Sequence, residues 1–428
     1  MKRLRAMLCA LLAGVLLAGC GAQPRTDDKQ GGGAAVDLTK YAAREAAYPA
    51  YPHEPRYEDY FNENGEGDWD AYMAAEDEYM AAMQKLGKGR LDQESAAPVL
   101  DFADRTAGAI FADSENRVYS PISLYAALAM LTEVTDGSTK RQVMDLLAAD
   151  DAETLRQQIK DLWIGVYTDD DQSVCRLANG AFLRENAEVK QEAVDTLADW
   201  HFASTYRVPM GTEEADKAIA GWLNQNTGGL LSEETGNIRT DGNDLLRLYN
   251  TIYYKSGWQD AFKSSQTKRD TFTAADGAAQ TVDFMHRTES GGYRKGEGYT
   301  AASRSLNYGR MVFVLPDESV TPESLLQRQG FLAELTGDYN AAELVWSVPK
   351  FDVKSSTELN EVLQALGVTD AFDMTEADFT PLTANGAFLS SAMQAARVKI
   401  DEEGVEAAAY TELVCADSAM MEVPPTVE

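Results

Sequence analysis

The chain has 428 residues, of which 44% are hydrophobic and 25% are charged. These proportions are typical of a globular protein and exclude a collagen, a coiled coil or a wholly disordered chain, and the length allows two or three domains, or one with an appendage. Acidic residues outnumber basic ones by 69 to 38, and the net charge of −31 excludes a sequence-independent nucleic-acid binder, because such a surface repels phosphate groups.

The first 19 residues have the pattern of an export signal. A basic start is followed by an apolar run from Met7 to Leu17, which is too short to span a bilayer as a mature helix. The run ends in Leu17-Ala18-Gly19-Cys20, which resembles a bacterial lipoprotein box. The resemblance implies that residues 1–19 are removed, that Cys20 is lipidated, and that the protein is exported and anchored to a membrane at the cell surface. An ordinary signal peptide with a chance cysteine is the alternative, and the exported protein would then be extracellular.

The cysteines and histidines indicate neither a metal site nor a cofactor. None of the four cysteines is spaced as CxxC, and the three histidines are scattered, so no zinc-finger or HExxH pattern is present. Cys9 would leave with the signal peptide. Cys175 and Cys415 then either pair or stay free, and their spacing does not decide between the two.

Residues 20–95 are predicted to form an acidic spacer. They contain a flexible joint at Gly31–Gly33 and show no long apolar periodicity. One helix is predicted from Trp69 to Leu86. Aromatic rings are frequent for a linker: Phe61 and Trp69 accompany Tyr41, Tyr48, Tyr51, Tyr57, Tyr60, Tyr72 and Tyr79. We therefore expect a tether that folds weakly onto its own domain, with a ligand-binding or wall-binding segment as the alternative.

One domain is predicted over residues 96–428. Its first helix runs from Pro98 to Asp113, where apolar residues follow the helical period and Pro98 suits the first turn. A second helix opens at Ser120-Pro121 and runs through Leu131. Three runs rich in β-branched, aromatic and aliphatic residues predict strands at Leu246–Tyr254, Met311–Leu315 and Leu344–Val348. Helices mostly come first and strands later, without a regular βαβ order, which indicates the α+β class.

Six segments of this domain carry recognisable motifs. In chain order they are VYSPISLYAALAMLTEVTDGSTKRQVMDLL at 118–147, LANGAFL at 177–183, IAGWLNQNTGGLL at 219–231, LYNTIYYKSGWQDAF at 248–262, FVLPD at 313–317 and VPKFDVKSSTELNEVLQALGVTDAF at 348–372. Together they resemble the serpin family of serine protease inhibitors over nearly everything after the spacer. The resemblance implies the serpin fold, which has a helical N-terminal part, a large central antiparallel-rich β-sheet and an exposed reactive-centre loop.

The resemblance also implies a set of buried polar residues. Ser120 and Ser123 match the family's polar pair beneath the central sheet, and Asn179 matches the asparagine of its strand. Gln394 stands where the family has a buried histidine, and its amide can still hydrogen-bond to the region of Ser120 and Ser123 but cannot titrate near neutral pH. Two further motif residues are placed at the top of the sheet: Asn250 and Trp258.

A segment of small residues near the end of the chain is expected to be the hinge of the loop. By local propensity alone it favours a helix, since Ala and Glu are strong helix formers. A period of two instead separates one face, Val405, Ala407, Ala409 and Thr411, from another, Glu406, Ala408, Tyr410 and Glu412. The resemblance favours a strand that slides into the sheet with its first, uncharged face toward the core and its second, partly polar face outward. The predicted hinge consists of Glu402, Glu403, Gly404, Val405, Glu406, Ala407, Ala408 and Ala409.

This hinge implies that the chain is a suicide inhibitor of a serine protease and not an enzyme. The protease forms a covalent acyl-enzyme with the exposed loop, and the cut loop enters the sheet as a new strand. Counting forward from the hinge gives Ser418–Ala419 as the reactive bond, whereas counting back from Pro424-Pro425 gives Met421–Glu422. The small residues at the first bond favour an elastase-like or subtilisin-like protease over a trypsin-like one.

The alternative function is that of a non-inhibitory serpin which acts as a cell-surface binding protein. A hydrolase fits poorly, because the sequence has no G-x-S-x-G motif. The acidity also argues against a heparin-type polyanion as a partner. The resemblance implies further core strands after Glu428, so we interpret the sequence as a truncated gene model. The alternative is a product that lacks these core strands and is unstable or polymerises.

Overall fold

The computed structural model describes residues 36–49, 51–52, 54–62, 64–87, 96–113, 115–170, 172–274 and 277–418. These residues belong to two compact units, one within Ala47–Leu86 and the other formed by residues 36–46 and 96–418. The predicted signal peptide, Cys20, Ala419, Met421 and Glu422 lie outside the described residues. Within the described ranges, no helix is both long enough and apolar enough to cross a bilayer.

The smaller unit contains helix α1 and the aromatic residues that precede it. α1 spans Trp69–Leu86, the bounds that the sequence predicted. The ring of Tyr57 lies edge-on against those of Phe61, Trp69 and Tyr72, with centroids 5.0, 5.3 and 5.4 Å apart. Trp69 is 57% exposed, so this ring cluster is accessible from solvent.

The helices of the larger unit are concentrated in its first half, as the sequence predicted. The two predicted helices are α2 (Ala97–Ile110), with a proline in its first turn, and α3 (Pro121–Glu133), whose N-cap is Ser120. The others are α4 (Gly137–Leu146), α5 (Ala152–Val166), α6 (Gln191–His201), α7 (Glu213–Asn226), α8 (Ser232–Thr235), α9 (Pro322–Leu326), α10 (Phe331–Leu335) and α11 (Asn360–Ala365).

The strands form two sheets. They are β1 (Ala42–Arg44), β2 (Thr168–Asp169), β3 (Ser173–Arg184), β4 (Ala203–Val208), β5 (Asp244–Gly257), β6 (Lys268–Thr273), β7 (Ala279–Gly296), β8 (Tyr299–Ser305), β9 (Arg310–Pro316), β10 (Asn340–Pro349), β11 (Phe351–Glu358), β12 (Ala387–Ile400) and β13 (Gly404–Asp417). In the described part of the chain, the large sheet has the order β1-β4-β3-β5-β13-β12-β11, with β2 paired to β3. The second sheet has the order β10-β7-β8-β9, with β6 paired to β7.

The large sheet is mostly antiparallel and packs against helix α3. Only the pair β3–β4 is parallel among the strand pairs of its described residues. Every residue of α3 from Ser123 to Glu133 is buried, which explains why its sequence is apolar on all sides. α3 contacts β5 and β13, so the main core lies behind the middle of the sheet.

The expected exposed loop is the point at which the structure differs most from the prediction. Residues Gly404–Asp417 form β13, a strand of 14 residues in the middle of the large sheet. The expectation of an exposed loop is therefore wrong for these residues. The physical reason is that a strand between two others bonds its backbone on both edges and buries side chains on both faces.

The predicted boundary at residue 95 also requires a correction. Residues 36–46 belong to the larger unit, because β1 pairs with β4 through Ala42–Tyr206 and Arg44–Thr205. Leu38 is 9% exposed and packs in an apolar cluster with residues of α7. This segment therefore contributes a paired strand and a buried leucine to the larger unit, which its composition did not reveal.

Candidate functional site

The candidate site is β13 together with the two strands that flank it and the side chains that contact it. β13 pairs antiparallel with β5 from Gly404–Gly257 to Ala416–Asp244, and with β12 from Val405–Ile400 to Asp417–Ala387. β12 and β13 are consecutive and form a hairpin. The backbone groups of β5 and β12 that face each other across this position are thus hydrogen-bonded to β13.

The predicted hinge residues Glu402 and Glu403 form the turn of this hairpin, and Gly404 begins the strand. The Asp401 carboxylate accepts hydrogen bonds from the backbone N–H groups of Glu403 and Gly404, at 2.9 and 3.3 Å. A Cβ atom at position 404 would lie 2.2 Å from the carbonyl oxygen of Ser256. Glycine is therefore required here by the close approach of β5.

A charged network holds the start of the hairpin. Lys350 Nζ lies 2.6 Å from Glu402 Oε2, and Thr267 donates to Glu402 Oε1 at 2.8 Å. Burial alone raises the pKa of Glu402, but these hydrogen bonds outweigh burial and lower the pKa. Trp258, predicted to lie at the top of the sheet, donates from Nε1 to the carbonyl oxygen of Asp401 at 2.9 Å.

Of the face of β13 that was predicted to turn toward the core, Val405, Ala409 and Thr411 are buried and Ala407 is half-buried. Thr411 and Leu413 are fully buried, and Val405 and Ala409 are 7% and 2% exposed. Cys415 is also fully buried, and burial raises the pKa of its thiol. Cys415 is a free thiol, which answers the open question about its pairing with Cys175.

The opposite face of β13 is covered, although it was predicted to face outward. Ala408 and Tyr410 are 3% and 1% exposed and belong to the apolar cluster that includes Trp222 of α7. Glu412 is only 5% exposed. Glu406 is half-buried and accepts a hydrogen bond of 2.7 Å from the hydroxyl of Tyr253. The reason for the correction is that a helix packs over this part of the sheet, which period-two alternation does not report.

The predicted polar residues Ser120, Ser123 and Gln394 meet at Thr411 of β13. The hydroxyl of Ser123 lies 2.9 Å from that of Thr411, and Gln394 Nε2 donates to Thr411 Oγ1 at 2.8 Å. Gln394 also donates to the carbonyl oxygen of Ser120 at 2.9 Å and accepts from its N–H at 2.7 Å. The buried hydroxyl of Thr411 is thus hydrogen-bonded to Ser123 and Gln394 behind the sheet, so it is not left unpaired.

Asn179 and Asn250 form a second, adjacent polar pair. Asn250 Nδ2 donates to Asn179 Oδ1 at 2.7 Å, and Asn179 Nδ2 donates to the carbonyl oxygen of His201 at 2.6 Å. Asn250 lies in the middle of β5, opposite Thr411, so its predicted position at the top of the sheet is wrong. The motif identified Asn250 correctly. Its position along the strand depends on how far β5 extends on each side of it, which the motif does not show.

Sequence reasoning missed Arg247, which lies in β5 and bonds to Glu412 of β13. The available signal was a single basic residue inside the apolar run Leu245-Leu246-Arg247-Leu248-Tyr249. Ser418 follows the end of β13 and its N–H bonds to the carbonyl oxygen of Gly386 at 3.4 Å. Across the described residues, no group of three His, Cys, Asp or Glu side chains is arranged to hold a metal ion.

Comparison with known proteins identifies the family. A sequence model described as Serpin (serine protease inhibitor) matches residues 99–428. The chain belongs to the serpin family. Wheat (Triticum aestivum) Serpin-Z1C is 27% identical over 333 residues, which cover 73% of this chain and 83% of the wheat protein.

Solved serpin structures share the fold. The thermophilic serpin tengpin in the latent state has a TM-score of 0.70 and 24% identity, covering 76% of this chain and 90% of tengpin. Thyroxine-binding globulin, solved with a thyroxine–fluorescein ligand, has a TM-score of 0.66 and 20% identity, covering 76% and 99%. The predicted α+β serpin fold is thus confirmed. The family contains protease inhibitors and binding proteins, and its members are generally not enzymes.

Proposed function

We propose that this serpin inhibits a serine protease by inserting its cleaved reactive-centre loop into the large sheet. The observation that supports the proposal is the position of β13, a 14-residue strand that pairs with β5 on one edge and β12 on the other. An inserted strand of this kind is the product that the mechanism requires. The proposal requires that the protease attacks while the loop is outside the sheet, and that the loop takes the position of β13 after it is cut.

The proposed reaction begins when the serine Oγ of the protease attacks the carbonyl carbon of Ser418. The bond to Ala419 breaks, the amine leaves on Ala419, and Ser418 remains esterified to the protease. β13 ends at Asp417, and a strand of 14 residues is roughly 45 Å long. Insertion would therefore carry the attached protease from the hinge end of the sheet to its far end before water can hydrolyse the ester.

The energetics favour an effectively irreversible insertion. Each backbone hydrogen bond contributes roughly 1 kcal/mol net. β13 forms such bonds along both edges and buries Ala409, Tyr410 and Leu413 to 2% exposure or less. The exposed loop has neither contribution, so the inserted form is the more stable one.

The proposed target is an elastase-like or subtilisin-like protease. Ser418 is small, as the pockets of such proteases require, and Met421–Glu422 is kept as the alternative bond. We also propose, from the sequence alone, that lipidation of Cys20 holds the inhibitor at the cell surface. A cell-surface binding protein is the second candidate function, and the exposed rings of Trp69 and Phe61 favour it.

The test is to mix the full chain with elastase-like and trypsin-like serine proteases and to separate the products in SDS. We expect an SDS-stable complex with the first protease. A Thr411→Arg variant should be cleaved without forming a complex, because a charge would face Ser123 and Gln394 behind the sheet.

The matched controls are Ser418→Arg and Met421→Arg. If Ser418–Ala419 is the reactive bond, Ser418→Arg redirects the complex to the trypsin-like protease and Met421→Arg does not. Cleavage of the wild-type loop by every protease without a trapped complex would contradict the proposed inhibition and favour the binding protein.

A further inference from the structure

β13 brings three carboxylates into the sheet, and each meets a partner on the body of the protein. Glu406 accepts from the hydroxyl of Tyr253, and Asp417 lies 2.9 Å from Arg184 Nη2. Glu412 is the most buried of the three, with 7% of its side chain exposed. A buried carboxylate strongly opposes insertion unless it is paired with a cation and hydrogen-bonded.

The partner of Glu412 is Arg247 of β5, whose side chain is also only 7% exposed. Arg247 Nη1 lies 2.6 Å from Glu412 Oε1. The hydroxyl of Tyr249 donates to the same oxygen. Burial, together with the negative charge of Glu412, raises the pKa of Tyr249, so its hydroxyl stays protonated and acts as the donor.

Arg247 is held in place by groups that do not belong to β13. Its Nε and Nη2 donate to Asp244 Oδ2 at 2.8 and 2.6 Å, and its Nη2 also donates to the carbonyl oxygen of Arg239 at 2.7 Å. These contacts use one side of the guanidinium. Nη1 remains directed at the position that Glu412 occupies, so the cation is oriented independently of the strand.

We propose that Arg247 is a preorganised counter-ion for Glu412, and that complete insertion of β13 depends on this pair. The proposal rests on the proposed function, since it concerns the step in which the loop becomes a strand. Entry of the hinge half of β13 requires no buried ion pair, because Glu406 stays half-buried beside a hydroxyl. Entry of residues 411–417, the second half of β13, buries Glu412. Arg247 therefore determines whether the second half can enter the sheet after the hinge half.

The chain contains a built-in reporter for this step. Cys415 lies three residues after Glu412 and has no exposure in the inserted strand. Its thiol is therefore protected from iodoacetamide when the second half of β13 is inserted, and it becomes reactive when that half is outside the sheet. Cys175, which is 5% exposed in β3, serves as the reference thiol within the same molecule.

The experiment measures labelling of Cys415 and Cys175 by peptide mass spectrometry in the full chain, before and after the loop is cut by a metalloprotease. A metalloprotease forms no acyl-enzyme, so insertion is followed without the target protease. Wild type and Glu412→Leu should end protected at Cys415. Arg247→Leu and Glu412→Lys should label at Cys415 about tenfold faster or more, because each leaves an unpaired buried charge.

Rescue separates ion pairing from a general effect on folding. Arg247→Leu is combined with Asp244→Asn, because Arg247 also pairs with the buried carboxylate of Asp244. Adding Glu412→Leu to this background should restore protection of Cys415, and the matched control Glu406→Leu should not. If the background fails to fold, Glu412→Lys decides the matter, because it leaves the body unchanged. Wild-type protection of Cys415 in Glu412→Lys, or no rescue by Glu412→Leu in the folded background, would overturn the proposal.

The outcome is distinguishable from failure of the proposed inhibition. If wild type traps no serine protease but the variants label as expected, the inhibitory function fails and the role of Arg247 stands. If every variant traps the protease and protects Cys415 as wild type does, the inhibitory function stands and the role of Arg247 is rejected.

Discussion

Glu133 is a carboxylate at the end of α3 with only 2% of its side chain exposed. Arg156 of α5 donates to it from Nε and Nη2 at 2.8 and 2.6 Å, and His201 Nε2, at the end of α6, lies 3.0 Å away. Burial alone raises the pKa of Glu133, but the hydrogen bonds from His201 and Arg156 outweigh burial and bring the pKa to about 2. One side chain thus joins three helices behind the sheet.

A pH dependence of stability follows from this residue. Because the folded pKa lies below the unfolded value, the stabilisation is fully present above about pH 4.5 and is lost as the pH falls toward 2. A shift of this size corresponds to about 3 kcal/mol. The free energy of unfolding, measured with denaturant, should therefore differ between wild type and Glu133→Gln by about that amount less at pH 2 than at pH 5.

The control for this prediction is Glu213→Gln, which removes a carboxylate that is 80% exposed and paired with Lys217 on the surface of α7. Its unfolding free energy should follow that of wild type closely at both pH values. A constant difference between wild type and Glu133→Gln across this range would show that the carboxylate is not stabilised by its buried partners.

At the scale of one element, the hairpin β12–β13 depends on how closely its turn approaches β5. The absent side chain of Gly404 leaves room for the carbonyl oxygen of Ser256 and the Cα atom of Gly257, which lie 2.2 and 2.8 Å from the place of a Cβ atom. The contact involves backbone atoms on both sides. A side chain at this position can be accommodated only if the strands separate.

We expect Gly404→Val to destabilise the inserted form by about 1–3 kcal/mol, as overpacking does elsewhere. Under the proposed mechanism, the exposed loop should be unaffected, so the variant should insert more slowly and be cleaved more often without trapping. Thermal unfolding of the loop-cleaved protein and labelling of Cys415 measure the effect. Gly242→Ala is the control, since a Cβ atom there has nothing within 4 Å. Equal stability of the two cleaved variants would contradict the steric argument.

At the scale of the whole larger unit, residues 36–46 close the edge of the sheet beside α7. The backbone of β1 covers β4, and Val36 lies so close to Gly221 of α7 that a Cβ atom there would be 2.0 Å from its Cγ2 atom. Leu38 is buried in the same cluster as Trp222, which also contains Tyr410 of β13. A covered edge also prevents β4 from pairing with another chain.

Shortening Leu38 tests this arrangement. Leu38→Ala should weaken the docking of β1 by about 2 kcal/mol, which accelerates amide hydrogen exchange in β1 and along the facing edge of β4 by about thirtyfold. Exchange in β5 and β12 should stay the same. Lys40→Ala, which removes an exposed ion pair with Glu214, should change little. Identical exchange in both variants would show that the leucine does not hold the segment.

The sequence by itself determined the fold class and the elements with the strongest local periodicity, namely helices α1 to α3 and parts of three strands. The run Leu246–Tyr254 lies within β5, Met311–Leu315 within β9 and Leu344–Val348 within β10. The motif residues Ser120, Ser123 and Gln394 were also identified, since each stands in a recognisable local context. Family resemblance, and not helix propensity, correctly gave a strand to the alanine-rich stretch after Gly404.

Only the tertiary structure decided where that strand lies and what it meets. Whether Gly404–Asp417 is a loop or the strand between β5 and β12 depends on backbone bonds to residues far away in the chain. The pairing of Arg247 with Glu412 joins positions 165 residues apart. Alternation along a strand specifies which side chains share a face, but helix packing decides whether that face is covered. Such contacts are set by the whole chain, so no local pattern contains them.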